Sequence, residues 1–119
     1  MTPGEMLCHL ADSATMTLSL PGAGRPRSRR LLKWVFLYAA IPWPRGRKTQ
    51  ARADPRREGS RPGDFEQDRQ RALEGLRNLA GASGDAFPVT HAVFGTLDAR
   101  EWKRWVYRHT DHHLKQFGL

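Results

Sequence analysis

The sequence predicts an all-α protein, and three observations predict it. Apolar residues recur every three or four positions along most of the chain. Two of these stretches open on a capping pair, Thr2 with Glu5 and Asp98 with Glu101. Glycine- and proline-rich breaks fall where the periodicity stops, as at Leu20-Pro21-Gly22 and Gly81-Ala82-Ser83-Gly84. With 119 residues the chain has room for one domain, residues 1–119, and one modest core. Its 39% hydrophobic and 27% charged residues suit a globular domain with one loose section.

The first helix is expected over 3–19. Thr2 caps it, Pro3 occupies the first helical position, and Leu7, Leu10, Ala14 and Leu18 form its apolar stripe. Met6, His9, Ser13 and Met16 run along the flank, which puts His9 at the edge of the buried face. A second helical stretch covers Leu31–Ile41, rich in aromatic residues. Two accounts fit it. It could cover one end of a helical bundle, or it could lie in a membrane interface, with arginines at the headgroups and aromatics at the acyl boundary. Apolar residues on every side favour the first. The apolar run is too short to span, since a bilayer needs about 20 residues.

Pro42-Trp43-Pro44-Arg45-Gly46 reads as a rigid turn, and 45–63 as a flexible Arg/Pro/Gly-rich loop. The third helix runs from Asp64 to Ala80, with Phe65, Ala72, Leu73, Leu76 and Leu79 in helical period. Phe87 to Gly95 reads as an extended connector that buries its large apolar side chains. The last helix starts at Asp98. Its seam of Trp102, Trp105, Val106, His109, His113 and Phe117 carries two histidines into the core face.

Charge is concentrated in one place. The net charge is +8, yet residues 25–57 alone hold eleven basic residues and one acid, Asp54. The excess therefore belongs to a segment and not to a basic fold. Arg25, Arg27, Arg29, Arg30, Arg45, Arg47 and Lys48 are its candidate anion-binding residues. They suit phosphate on nucleic acid or on lipid, although an arginine-rich composition alone also produces such a run. The single cysteine, Cys8, excludes an intrachain disulfide and fits a reducing cytoplasm. The N-terminal residues lack the basic and apolar regions of a signal peptide.

Three of the five histidines lie in His109-Thr110-Asp111-His112-His113. His109 and His113 are four apart, so on a helix they share one face with Cβ atoms roughly 5–6 Å apart. Such a pair can hold one divalent ion. A polar helix end with titrating histidines has the same pattern. Burial favours the ion, because imidazole nitrogens on a core face need partners.

Taken together, Thr2-Pro3-Gly4-Glu5-Met6-Leu7-Cys8-His9-Leu10-Ala11-Asp12-Ser13 and His109-Thr110-Asp111-His112-His113-Leu114-Lys115-Gln116-Phe117-Gly118 resemble the DinB-like (YfiT-like) metalloproteins, and within them a branch of unassigned function. Pro42-Trp43-Pro44-Arg45-Gly46, Asp64-Phe65 and Val93-Phe94-Gly95-Thr96-Leu97 agree as well. The resemblance implies an up-down four-helix bundle. It implies a divalent metal, of zinc, nickel or iron type, held by three histidines: His9, His109 and His113. Asp12, Asp111 and His112 are weaker candidates for orienting those ligands, and His112 could exchange roles with His113. His91 reads as structural or as a surface residue.

Such relatives carry a long helix before the Thr-Pro-Gly stretch. The expectation is therefore an N-terminally truncated bundle that is marginally stable or a homodimer.

Three protein ligands leave a coordination position open, as catalytic sites do. The resemblance thus implies a metal-dependent transferase or hydrolase, with a small-molecule or thiol-conjugate substrate. No residue stands out as a general base. Cys8 points about 100° away from His9 on a helix and is not expected to act as ligand or nucleophile. Two readings compete with the enzyme. One is a basic module contacting nucleic acid or an anionic membrane surface through 25–57. The other is a structural protein stabilised by its metal. No helix-turn-helix, RNA-recognition or zinc-knuckle pattern supports sequence-specific reading of nucleic acid.

Overall fold

The computed structural model describes residues 1–19, 30–39, 41–46, 48–88, 90–91 and 93–119. The protein is mainly helical. Its elements are α1 (Pro3–Ser19), α2 (Arg30–Lys33) continuing into a π-helical turn (Trp34–Tyr38), α3 (Phe65–Gly81) and α4 (Ala99–Lys115). Short 3-10 turns lie at Ala51–Ala53 and Gly84–Ala86, and two short strands, β1 (Thr90–His91) and β2 (Gly95–Thr96), precede α4. Among the described residues, no helix is long and apolar enough to cross a membrane. The chain forms two compact units, one of residues 1–18 and 46–81, the other of 19–45 and 82–119.

In the first unit, α1 starts where its local chemistry dictates. The Glu5 amide donates to Thr2 Oγ1 at 3.2 Å, and the Thr2 amide donates to Glu5 Oε2 at 2.7 Å. These two bonds satisfy donors that a helix N-terminus otherwise leaves open. Burial departs from a one-sided stripe. Met6, Leu7, Cys8, His9, Leu10 and Ala11 are all buried in succession, so α1 is enclosed around its whole circumference for nearly two turns. His9, expected at the edge, is only 4% exposed.

Helix α3 approaches α1 closely at Gly75. A Cβ added there would stand 2.8 Å from the Ala14 Cβ, too near for real side chains, so glycine permits the contact. Ala72 and Leu79 are buried, whereas Phe65 is exposed.

The segment between these helices is tied to one face of α1. Glu5, His9 and Asp12 follow one another at i, i+4 and i+7, and each takes a partner from it. Arg56 donates two bonds to the Glu5 carboxylate, at 2.9 and 3.0 Å. His9 bonds the Ala53 carbonyl. Ser60 donates both its amide and its hydroxyl to Asp12, at 2.6 and 2.7 Å. In between, the Asp54 carbonyl accepts from the amides of Arg57 and Gly59. A side chain at Gly59 would collide with that backbone at 2.8–2.9 Å. The Gly63 amide donates to the buried Asp68, and Arg71 reaches both Asp68 and Asp12.

The Arg56 guanidinium is the main reason the Glu5 carboxyl is lowered from 4.5 to about 2, helped by the Thr2 amide. A lowered folded-state value means the unfolded chain binds more protons. The clasp therefore stabilises fully above about 4.5 and is lost as pH falls towards 2. Urea midpoints of wild type and Glu5→Gln should differ at neutral pH and converge as the pH approaches 2. A gap independent of pH would remove Glu5 from the acid sensitivity.

In the second unit, α4 opens on the expected capping box of Asp98 and Glu101. Two of its arginines close the end of the π-helical turn. Arg104 Nε donates to the Leu37 carbonyl at 2.6 Å, and Arg108 donates to the carbonyls of Phe36 and Ile41. Glu101 takes Lys33 at 3.2 Å and the Tyr38 hydroxyl at 3.1 Å. Leu37 is buried, and Phe36 meets Trp43 and Phe94 edge-on or tilted at 6.1 Å. Not all of the apolar run Leu31–Ile41 is covered: Leu31, Trp34, Tyr38 and Ile41 are exposed.

The connector before α4 is more ordered than an extended strand. Thr90 pairs with Thr96 and His91 with Gly95 in an antiparallel hairpin. His91 Nδ1 accepts from the amides of Val93 and Phe94, so the imidazole builds the turn. Phe87 and Phe94 are buried, as expected.

Candidate metal centre

Two histidines of the candidate site come from α4, whose 3.6-residue period brings His109 and His113 onto one face. Their Nε2 atoms are 3.2 Å apart, and their rings meet edge to face. The neighbours hold each ring. His109 lies flat on Trp105, with centroids 4.8 Å apart and planes 10° from parallel. His113, 8% exposed, has its Nδ1 3.2 Å from Gln116 Oε1. The same amide faces the other way with its nitrogen, 3.3 Å from His112 Nε2. An oxygen accepts, so His113 Nδ1 carries the proton and its Nε2 keeps a lone pair toward His109.

His9 is arranged by the same logic. Its Nδ1 lies 2.6 Å from the Ala53 carbonyl, which can only accept. The proton therefore sits on Nδ1 and the lone pair on Nε2. Burial pushes the His9 pKa down, opposed by the Ala53 carbonyl and by Asp12 and Asp54. A neutral imidazole whose second nitrogen is bonded to a carbonyl is the form that ligates metals.

Within α4, His109 and His113 are placed to share a metal ion, and His9 on α1 carries a ring nitrogen prepared in the same way. The donor chemistry fits a divalent ion of borderline softness, which imidazole suits.

The remaining candidates are placed as follows. Asp12 accepts from Ser60 and lies near Arg71. Asp111 pairs with Lys115 at 2.8 Å. His112 bonds Gln116 and packs against Trp43 at 5.8 Å, and burial followed by Arg45 lowers its pKa. Cys8 is fully buried, and burial pushes its thiol pKa up, which removes thiolate reactivity. Arg30, Arg45 and Lys48 are exposed. Arg25, Arg27, Arg29 and Arg47 lie outside the described residues.

Sequence reasoning missed three supports: Trp105 under His109, Gln116 beside His113, and the Ala53 carbonyl on His9. The first two stand four residues before and three after the histidines they hold, so helical spacing could have found them. Nothing local announces Ala53.

The fold and the site thus define a mainly helical protein with a pair of histidines on one face of α4 and a buried histidine on α1. The chain belongs to the family described as "Protein of unknown function (DUF1569)", whose model matches residues 2–118. No curated protein and no solved structure matches it.

Proposed function

We propose that this chain is a DinB-like metalloprotein in which His9, His109 and His113 hold one divalent cation for transferase or hydrolase chemistry. The His109/His113 pair, with its two Nε2 atoms 3.2 Å apart on one face of α4, carries this reading, and His9 is the third ligand it calls for. Support also comes from the second nitrogens of two of the rings. Ala53 and Gln116 set the tautomer and orientation of His9 and His113, an arrangement typical of ligating imidazoles.

A cation with three protein ligands supplies an open position for a thiolate or for a water of lowered pKa. The chain's own contribution is orientation. Trp105 keeps the His109 ring flat, Gln116 holds His113 and His112 in register, and the buried Ala53 carbonyl fixes His9. His9 is itself buried, which limits water around its ring. A small thiol conjugate is the substrate class this reading favours, with the cation and not Cys8 as the sulfur-binding group.

Metal analysis of the purified chain tests the reading. Wild type should carry about one divalent ion per chain, and His109→Ala close to none, because two imidazoles alone rarely retain an ion. Equal metal content in the two proteins would refute the site.

A further inference from the structure

The π-helical turn and α2 expose an apolar face that the metal chemistry does not use. Leu31, Trp34 and Tyr38 stand at i, i+3 and i+7, and are 76%, 60% and 46% exposed; Ile41 follows at 51%. A helix of a water-facing protein normally turns such a stripe inward. Here Leu37 goes inward, while larger side chains one turn away remain outside. Cationic groups border this face. Arg30 is exposed beside Leu31, Arg104 lies over the Tyr38 ring at 4.6 Å, and Arg108 binds the Ile41 carbonyl. The nearby acids are engaged: Glu101 by Lys33 and Tyr38, Asp98 by the α4 cap. In sequence, residues 25–45 hold six basic residues and no acid.

We propose that this face docks on an anionic phospholipid surface. Leu31, Trp34 and Ile41 enter the boundary between headgroups and acyl chains, and Arg30, Arg104 and Arg108 meet the lipid phosphates. Trp and Tyr side chains favour that boundary, and basic residues near it add attraction to anionic lipid. Charge disfavours the other occupants. A second copy seated face to face would bring two sets of arginines together. Nucleic acid would satisfy the arginines and could stack on Trp34, but it offers nothing to Leu31 or Ile41. The proposal is independent of the metal site.

Vesicle co-sedimentation of the full chain tests it. The chain should bind vesicles of phosphatidylcholine with phosphatidylserine and release them at high salt, with little binding to phosphatidylcholine alone. The double variant Leu31→Ser/Trp34→Ser should bind at least ~tenfold more weakly, as expected for losing two boundary side chains. Both residues are exposed, so its far-ultraviolet circular dichroism should match wild type. Arg30→Glu, a milder surface change, should also weaken binding. Failure of wild type to bind anionic vesicles would overturn the proposal. So would equal binding by the double variant, which would reduce the contact to charge alone. Self-association or DNA binding that disappears in the double variant, without vesicle binding, would assign the face to a second copy or to nucleic acid instead.

Discussion

Replacing His9 by alanine is expected to abolish binding of the proposed cation and to destabilise the metal-free protein as well. The two losses have separate causes. Removing Nε2 deletes one of the three proposed ligands, and affinity for zinc or cobalt should fall more than ~100-fold, beyond the 10–100-fold typical of losing only a ligand's supporting partner. Removing Nδ1 leaves the buried Ala53 carbonyl without its donor. An unsatisfied buried acceptor costs about 1–3 kcal/mol. His9→Asn separates the roles. Its amide can still reach Ala53, so it should recover much of the urea stability while leaving metal affinity low. Calorimetric titration and urea unfolding of the metal-free chain check the pair. Undiminished affinity in His9→Ala would exclude this imidazole from the coordination sphere.

Trp102→Ala should give the largest loss of stability in the second unit, about 3–5 kcal/mol. The indole is buried, stacks on Phe87 with centroids 6.0 Å apart, and meets Trp105 edge-on and the His91 ring. Its Nε1 donates to the Pro88 carbonyl at 2.7 Å. Truncation opens a cavity and removes that donor together. Tyr107→Ala on the same helix is the control. Tyr107 is 68% exposed, and its loss should stay within about 0.5 kcal/mol. Urea unfolding followed by circular dichroism distinguishes them. Similar midpoints for the two variants would show that Trp102 does not anchor the hairpin to α4.

Both contrasts mark where sequence reading stops. The caps of α1 and α4 were legible because each is a bond between residues three apart: Thr2 with Glu5, Asp98 with Glu101. The His109/His113 pair was legible for the same reason, since helix geometry alone makes them neighbours. The hairpin was not. Each strand has two residues, too few for an alternating pattern, and its turn depends on the His91 ring accepting two amides. The enclosure of His9 was also hidden. A helical stripe says which residues share a side, but not that a segment more than forty residues later will close over that side through Arg56, Ala53 and Ser60.

Helix limits, charge segregation and the spacing of the paired histidines are thus properties of neighbouring residues, and the bare chain is enough to establish them. Which apolar residues meet water, and which nitrogen of His9 carries the proton, are different. Leu31 and Leu37 are equally hydrophobic, yet one is exposed and the other buried. Such outcomes depend on neighbours distant in the chain, as Arg104 is to the Leu37 backbone and Ala53 to His9. Only folding brings such partners within bonding distance, because hydrogen bonds and packing act over a few ångströms of space and not along the chain.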